Sequence, residues 1–252
     1  MSSLNRLFHL PQLFHYLQLQ HLSVGMMLCL SFASAILVAH AEEETAKRHA
    51  SRATATRATA TRPQVSAPQG SMPKAPPNLI KVPMVRQSTD FTCGVAALQS
   101  VFAYFGDEYR EDHLAKELKA VPKTGTHYQE MMRLAKAKGY SVKVLKTMTI
   151  ADLKKTIDAG KPVICLIQAW ADKAVDYSND WEDGHYVVAI GHDSDNIYFM
   201  DPSTLSNYTF IPTKEFVNRW HDTDGKEKLV HFGLIIEKAK AKYNPSSFLK
   251  LD

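Results

Sequence analysis

Hydrophobic period changes once along this chain, near Tyr140, and that change limits the folds open to it. Before it, apolar residues recur at helical spacing: Val95, Leu98, Phe102 and Phe105, then Met131, Leu134 and Ala135. After it, short apolar runs dominate, at 140–145, 162–170, 185–191, 196–200, 208–211 and 230–237, most of them divided by Asp, Ser, Asn, Gly or Pro. Thr126 is expected to cap the helix 126–138; one helix interrupts the strands at 149–159, opened by Thr149 and Asp152 as a capping box, and a short one follows Thr213 as far as Trp220, after which His221–Lys228 reads as a polar loop. Helices first and strands second predict an α+β domain and argue against a doubly wound sheet. The strands 185–191, 196–200 and 208–211 follow one another so closely that they predict an antiparallel meander, leaving a helical N-terminal lobe, a β C-terminal lobe and a cleft between them.

Of the 252 residues, the first third is read apart from this domain. Residues 23–41 are apolar, end in Ala39-His40-Ala41 and precede Glu42, Glu43 and Glu44, so residues 1–41 are expected to be a secretory signal peptide; the alternative is a membrane anchor at 23–41. Residues 42–78 are rich in Ala, Thr, Arg and Pro and carry ATATR twice, which predicts a disordered basic linker that could contact a membrane or cell envelope. The linker also holds the positive charge. Thr45–Asn78 has six basic residues and no acidic one, whereas Leu79–Lys240 has 21 basic and 22 acidic residues, a net charge of −1. The expected domain, 79–240, therefore carries no nucleic-acid footprint, and residues 241–252 are read as a tail.

The chemistry centres on Cys93. It starts a helix, where unpaired backbone N–H groups and the helix dipole favour thiolate and lower the pKa from about 8.5. His185 starts a strand in the second half and is a candidate base; Asp201 ends the next strand and, in a hairpin, would lie beside the imidazole to orient it. Gln87, six residues before Cys93, is a neutral donor that could share an oxyanion with the Cys93 N–H. Each has a plain alternative: a core cysteine, a structural histidine, a turn aspartate. Their joint placement favours a single site.

A metal site from His185, His192, Asp193 and Asp201 is disfavoured, because residues seven apart on a strand point to opposite faces. No metal and no cofactor are expected. The acidic loop 171–183 lacks the ligand spacing of a calcium loop and is read as a solvated flap over the cleft. Cys165 lies in an apolar strand and is read as a buried hydrophobe, although pairing with Cys93 is open to an exported protein.

Gln87 to Gly94 with the Ala/Leu-rich helix after it, Asp183-Gly184-His185-Tyr186-Val187-Val188 and Tyr198-Phe199-Met200-Asp201-Pro202 together resemble the bacteriocin-processing, or double-glycine leader, cysteine peptidases of the papain-like clan. The resemblance runs in order over about residues 80–238. It implies a papain-like two-lobe domain acting on a peptide or protein, with Cys93 as nucleophile, His185 as base, Asp201 as its partner and Gln87 as oxyanion donor. The chain has no GxxxxGK[ST] loop, so ATP binding is not carried over from the transporter-type members. The expected function is exported hydrolysis of a peptide bond, with small residues such as Gly before the cut implied by resemblance alone. A non-catalytic peptide-binding module of the same fold and a papain-like acyl transferase are the alternatives.

Overall fold

The computed structural model describes residues 73–250 apart from 172, 205 and 249. The expected signal peptide, and the linker up to residue 72, lie outside the described residues. Helix α1 (Cys93–Tyr104) is followed by α2 (Glu111–Glu117) and α3 (Tyr128–Ala137), then β1 (Ser141–Leu145), α4 (Ile150–Asp158), β2 (Val163–Gln168), β3 (Gly184–His192), β4 (Asn196–Met200) and β5 (Thr209–Pro212). The chain closes with α5 (Thr213–Arg219), β6 (His221–Asp224), β7 (Glu227–Val230) and β8 (Gly233–Glu237). Six strands form an antiparallel sheet in the order β1-β8-β2-β3-β4-β5, and β6 with β7 makes a separate hairpin. The expected α+β class and the β3-β4-β5 meander are both present.

Helix α1 is the centre of the packing. Val95 through Leu98 and Ser100 through Phe102 are all buried, so the helix is the buried one its apolar residues predict, with burial extending beyond the apolar stripe. It lies on β3 and contacts α2. Its one polar buried side chain, Ser100, donates to the Pro83 carbonyl at 2.6 Å, which ties the incoming segment across the helix. On β2, all six residues from Val163 to Gln168 are buried, as expected for a central strand covered on both faces.

The ends of the domain depart from the expected boundaries. Ile80 N–H donates to the Ile190 carbonyl at 2.7 Å, and Pro76 and Leu79 sit so close to Gly191 that a Cβ there would lie 3.1 and 3.0 Å from them. The last residues assigned to the linker are thus part of the fold. In the tail, the N–H groups of Lys242 and Tyr243 both donate to the Tyr104 carbonyl, satisfying the C-terminus of α1.

Capping shows where local signals were overruled. Thr149 and Asp152 form the expected reciprocal capping box on α4. The expected Thr126 cap does not exist: α3 starts at Tyr128, whose N–H donates 2.7 Å to the Asp224 carboxylate, an acceptor brought from the distant β6. Thr213 is the first residue of its helix, and Pro212 precedes it as the cap position. The segment His221–Lys228, expected as a polar loop, forms the β6–β7 hairpin, and the final strand begins at Gly233, three residues later than expected. Polar strands carry no apolar alternation, so their period was invisible in sequence.

Candidate active site

Cys93 occupies the first helical position of α1. Thr92 before it is buried but caps nothing; its hydroxyl accepts from Thr89 N–H at 3.2 Å. The first-turn N–H groups are therefore left for the sulfur, and Gly94 N–H points at it, as does the N–H of Tyr186 on β3. Gly94 lets β3 come this close. A Cβ on Gly94 would lie 2.4 Å from Met131 Cε, 2.8 Å from Thr126 Cβ and 3.0 Å from the Tyr186 ring.

His185 is the second residue of β3 and is buried. The pairing of Val188 with Met200 places Asp201, just past the end of β4, beside it, and His185 Nε2 lies 2.8 Å from Asp201 Oδ1. With Nε2 held there, the ring lies close enough to the Cys93 thiol for each group to shift the other's pKa. Asp201 is secured in turn by Ser203 N–H at 2.8 Å and the Thr204 hydroxyl at 3.0 Å. Three of the four expected residues thus form a continuous chain: thiol, imidazole, carboxylate.

The electrostatics follow from that chain. Burial by itself would push the Cys93 thiol up, but the His185 imidazole and the two N–H groups overcome it and bring its pKa below the ordinary value. Burial likewise works against the charged imidazole, yet Asp201 and Cys93 raise His185 to about 9. Asp201 is lowered: desolvation opposes its charge, and His185, Ser203 N–H and the Thr204 hydroxyl more than offset it. All three shifts favour the same state, a thiolate and an imidazolium held by a carboxylate. Cys165 shows the contrast, being unpaired and buried on β2 with its thiol pushed up by desolvation alone.

Gln87 belongs to the Asp201 loop. Its N–H donates to the Pro202 carbonyl at 3.0 Å and its Oε1 accepts from the Ser203 hydroxyl at 3.1 Å. Its Nε2 donates to the Thr89 carbonyl at 2.7 Å, which uses one of the two amide hydrogens. One short loop, Asp201–Thr204, therefore positions both the carboxylate and the amide.

The other candidates separate. His192 Nε2 is 2.9 Å from Asp158 Oδ1, and Asp193 accepts from the Tyr198 hydroxyl at 2.6 Å, so neither joins His185 and Asp201. Among the described residues, no group of three or more potential metal ligands of the His, Cys, Asp and Glu types comes together. The acidic loop is pinned and does not hang free as a flap: Tyr177 lies under Arg219 at 4.0 Å, the Trp181 ring is 4.5 Å from His221 and 4.4 Å from Lys228, and His221 Nε2 lies 2.7 Å from the Asp180 carbonyl. Sequence reasoning also missed Ser203, Thr204, Gln168 and Asp222. Ser203 and Thr204 lie only two and three residues past Asp201 and could have been read as its turn partners, whereas Gln168 and Asp222 are 54 positions apart and no local spacing marks them. Two surface concavities, one lined by Leu79, Tyr104 and Tyr243 and one by Phe105, Lys238 and Lys242, contain none of the site residues.

Residues 79–227 match the model of the Peptidase_C39 like family. The chain belongs to that family. It is 29% identical over 135 residues to the transport/processing ATP-binding protein ComA of Streptococcus pneumoniae, an alignment covering 53% of this chain and 17% of that protein. It is 31% identical over 120 residues to an uncharacterized protein of Methanothermobacter marburgensis, covering 48% of this chain and 71% of the relative. Among solved structures, a C39-like peptidase of Bacillus anthracis superposes with a TM-score of 0.52 at 21% identity, over 68% of this chain and all of the other. The peptidase domain of Streptococcus ComA gives a TM-score of 0.48 at 21% identity, over 62% of this chain and 97% of that one. The fold is thus that of a C39 peptidase domain, in agreement with the papain-like two-lobe arrangement expected from sequence.

Proposed function

We propose that this chain is a thiol peptidase that hydrolyses a peptide bond through Cys93, His185 and Asp201, with Gln87 as oxyanion donor. The observation that carries the reading is the chain from thiol to imidazole to carboxylate, whose members all shift toward the ion-paired state. In the first step the Cys93 thiolate attacks the scissile carbonyl carbon, forming a C–S bond and moving the carbonyl electrons onto oxygen. The Cys93 N–H, free at the first position of α1, and the second Gln87 Nε2 hydrogen receive that oxyanion. Collapse breaks the C–N bond, and the His185 imidazolium gives its proton to the leaving amine. The neutral imidazole then takes a proton from water, whose oxygen bonds to the thioester carbon; collapse of that adduct breaks the C–S bond, releasing the acid product and the Cys93 thiolate beside the imidazolium. A peptide-binding module has no need of a thiol with lowered proton affinity, which weighs against that alternative.

The substrate is proposed to be a peptide or protein segment with small residues such as Gly before the cut, by likeness to double-glycine peptidases. Action outside the cytoplasm is proposed from the apolar run at 23–41. The test compares peptides released by cells producing wild type and Cys93→Ala, read by mass spectrometry. Products present with wild type and absent with the variant are expected; identical peptide sets would overturn the proposal.

A further inference from the structure

A second buried polar cluster lies against the backbone that precedes His185. Gln168, the last residue of β2, is fully buried, and its side chain makes three bonds: Nε2 donates to Asp222 Oδ1 at 2.9 Å and to the His221 carbonyl at 3.0 Å, while Oε1 accepts from Asp183 N–H at 2.9 Å. Asp222, on β6, is also buried and presses on Gly184, where an added Cβ would lie 1.7 Å from its Oδ2. Asp183 and Gly184 are the two residues before His185, and the Asp183 carbonyl accepts from Ala169 N–H at 2.9 Å. The start of β3 is thus clamped between Gln168 and Asp222, on a network that shares no residue with the Asp201 loop.

We propose that Asp222 is a positioning residue for His185: with Gln168 it fixes the Asp183–Gly184 backbone from which the imidazole projects toward Cys93. The inference rests on the thiol-peptidase reading given above. It explains why a carboxylate is kept where folding disfavours one. A buried ionised carboxylate without a cation bonded to it opposes folding, yet an amide of the same shape would place an NH2 group either against Gly184 or against the Gln168 amide, where the carboxylate has an oxygen at both positions. It also explains Gly184, since any side chain there would displace Asp222.

The surroundings predict how this clamp responds to pH. β6 packs on β2 and β3 and pairs with β7; β2 offers neutral Gln168, β3 offers Tyr186, β7 sets apolar Leu229 opposite Asp222, the loop before β3 offers Asp180, and His221 is the neighbour on β6 itself. Burial, reinforced by Asp180, outweighs Thr223 N–H, Gln168 and His221 and pushes Asp222 up to about 6. Below that pH the carboxylate is protonated and a weaker acceptor for Gln168 Nε2 and Thr223 N–H, so the clamp loosens while His185 stays protonated.

Alkylation of Cys93 by iodoacetamide, followed against pH in the full chain, tests this without a known peptide substrate. In wild type the thiolate should react well below pH 8.5, with a step near pH 6. Asp222→Asn should lower the rate at pH 7 about ten-fold, within the range of up to ~100-fold that misplacing a reacting group costs, and should abolish the step. Gly184→Ala, which displaces the carboxylate without removing it, should lower the rate similarly. An Asp222→Asn protein that is folded by circular dichroism and keeps the wild-type rate and step overturns the inference. Loss of fold in both variants overturns it too, in favour of a purely structural brace. A wild-type profile no different from a free thiol sinks the peptidase reading itself, so the two failures are told apart.

Discussion

Strand β3 carries a histidine near each end, and each is bonded through Nε2 to an aspartate, at 2.8 Å for His185 with Asp201 and 2.9 Å for His192 with Asp158. The distances are nearly the same; the surroundings are not. The side chains of His185 and Asp201 are 6% and 5% exposed, whereas Asp158 is 54% exposed. The inner pair faces a thiol and is held by Ser203 and Thr204, so its charge state is coupled to that of the thiol. Asp158 is held by the Asn78 amide and faces water, where screening leaves such a pair little net worth. An imidazole beside a carboxylate is therefore no sign of function. Burial and a third reactive group make it one.

The sharpest way to break this contrast is to remove the third group. Cys93→Ala is expected to reduce peptide cleavage by about 10⁴-fold or more, and to abolish labelling by a thiol-reactive peptide probe, with the fold intact. Undiminished labelling would remove Cys93 from the assignment. Next in size is a comparison of the two ends: His185→Ala should lower kcat/KM by about 10²–10⁴-fold, and His192→Ala should leave it within about two-fold. Equal losses in the two variants would show that His185 acts through stability alone.

Stability against pH separates the ends a third way. Asp201 is lowered in the fold, so its contribution is full above its unfolded value of about 3.9 and is lost as pH falls through the folded value. His185 is raised to about 9, so its contribution is full below about 6.5 and is lost as pH rises through 9. Wild type should hold a stability advantage over Asp201→Asn of about 2–3 kcal/mol near pH 5–6, declining towards pH 9, measured by urea unfolding. A difference that does not vary with pH would mean the inner pair is not coupled to ionisation. The smallest effect belongs to the outer pair, where Asp158→Asn should leave the urea midpoint close to that of wild type, and closer again in high salt.

The parts of this fold legible in sequence were those with a local cause. The α4 capping box lies within four residues, and the apolar runs that became β2, β3 and β4 are each long enough to show their pattern. Cys93 at the start of a buried helix and His185 at the start of a strand were legible for the same reason. Features made by distant residues were not. Asp224 caps α3 across 96 positions of sequence, and β6 is a strand of polar residues whose hydrophobic pattern is silent. Asp222, read as part of a polar loop, is buried against Gly184.

By itself the sequence determined the α+β order of elements, the identity of the chemical groups and their place at element ends. These follow from periodicity and from the short-range preferences of capping and turn residues, which act over a few positions. Tertiary structure alone decided which groups meet: His185 with Cys93 and Asp201 and not with His192, Gln87 with Ser203, Gln168 with Asp222. It also decided the protonation of the site. A thiol's pKa depends on what desolvates it and which donors point at it, and for Cys93 those are His185 and Tyr186, more than ninety residues away along the chain.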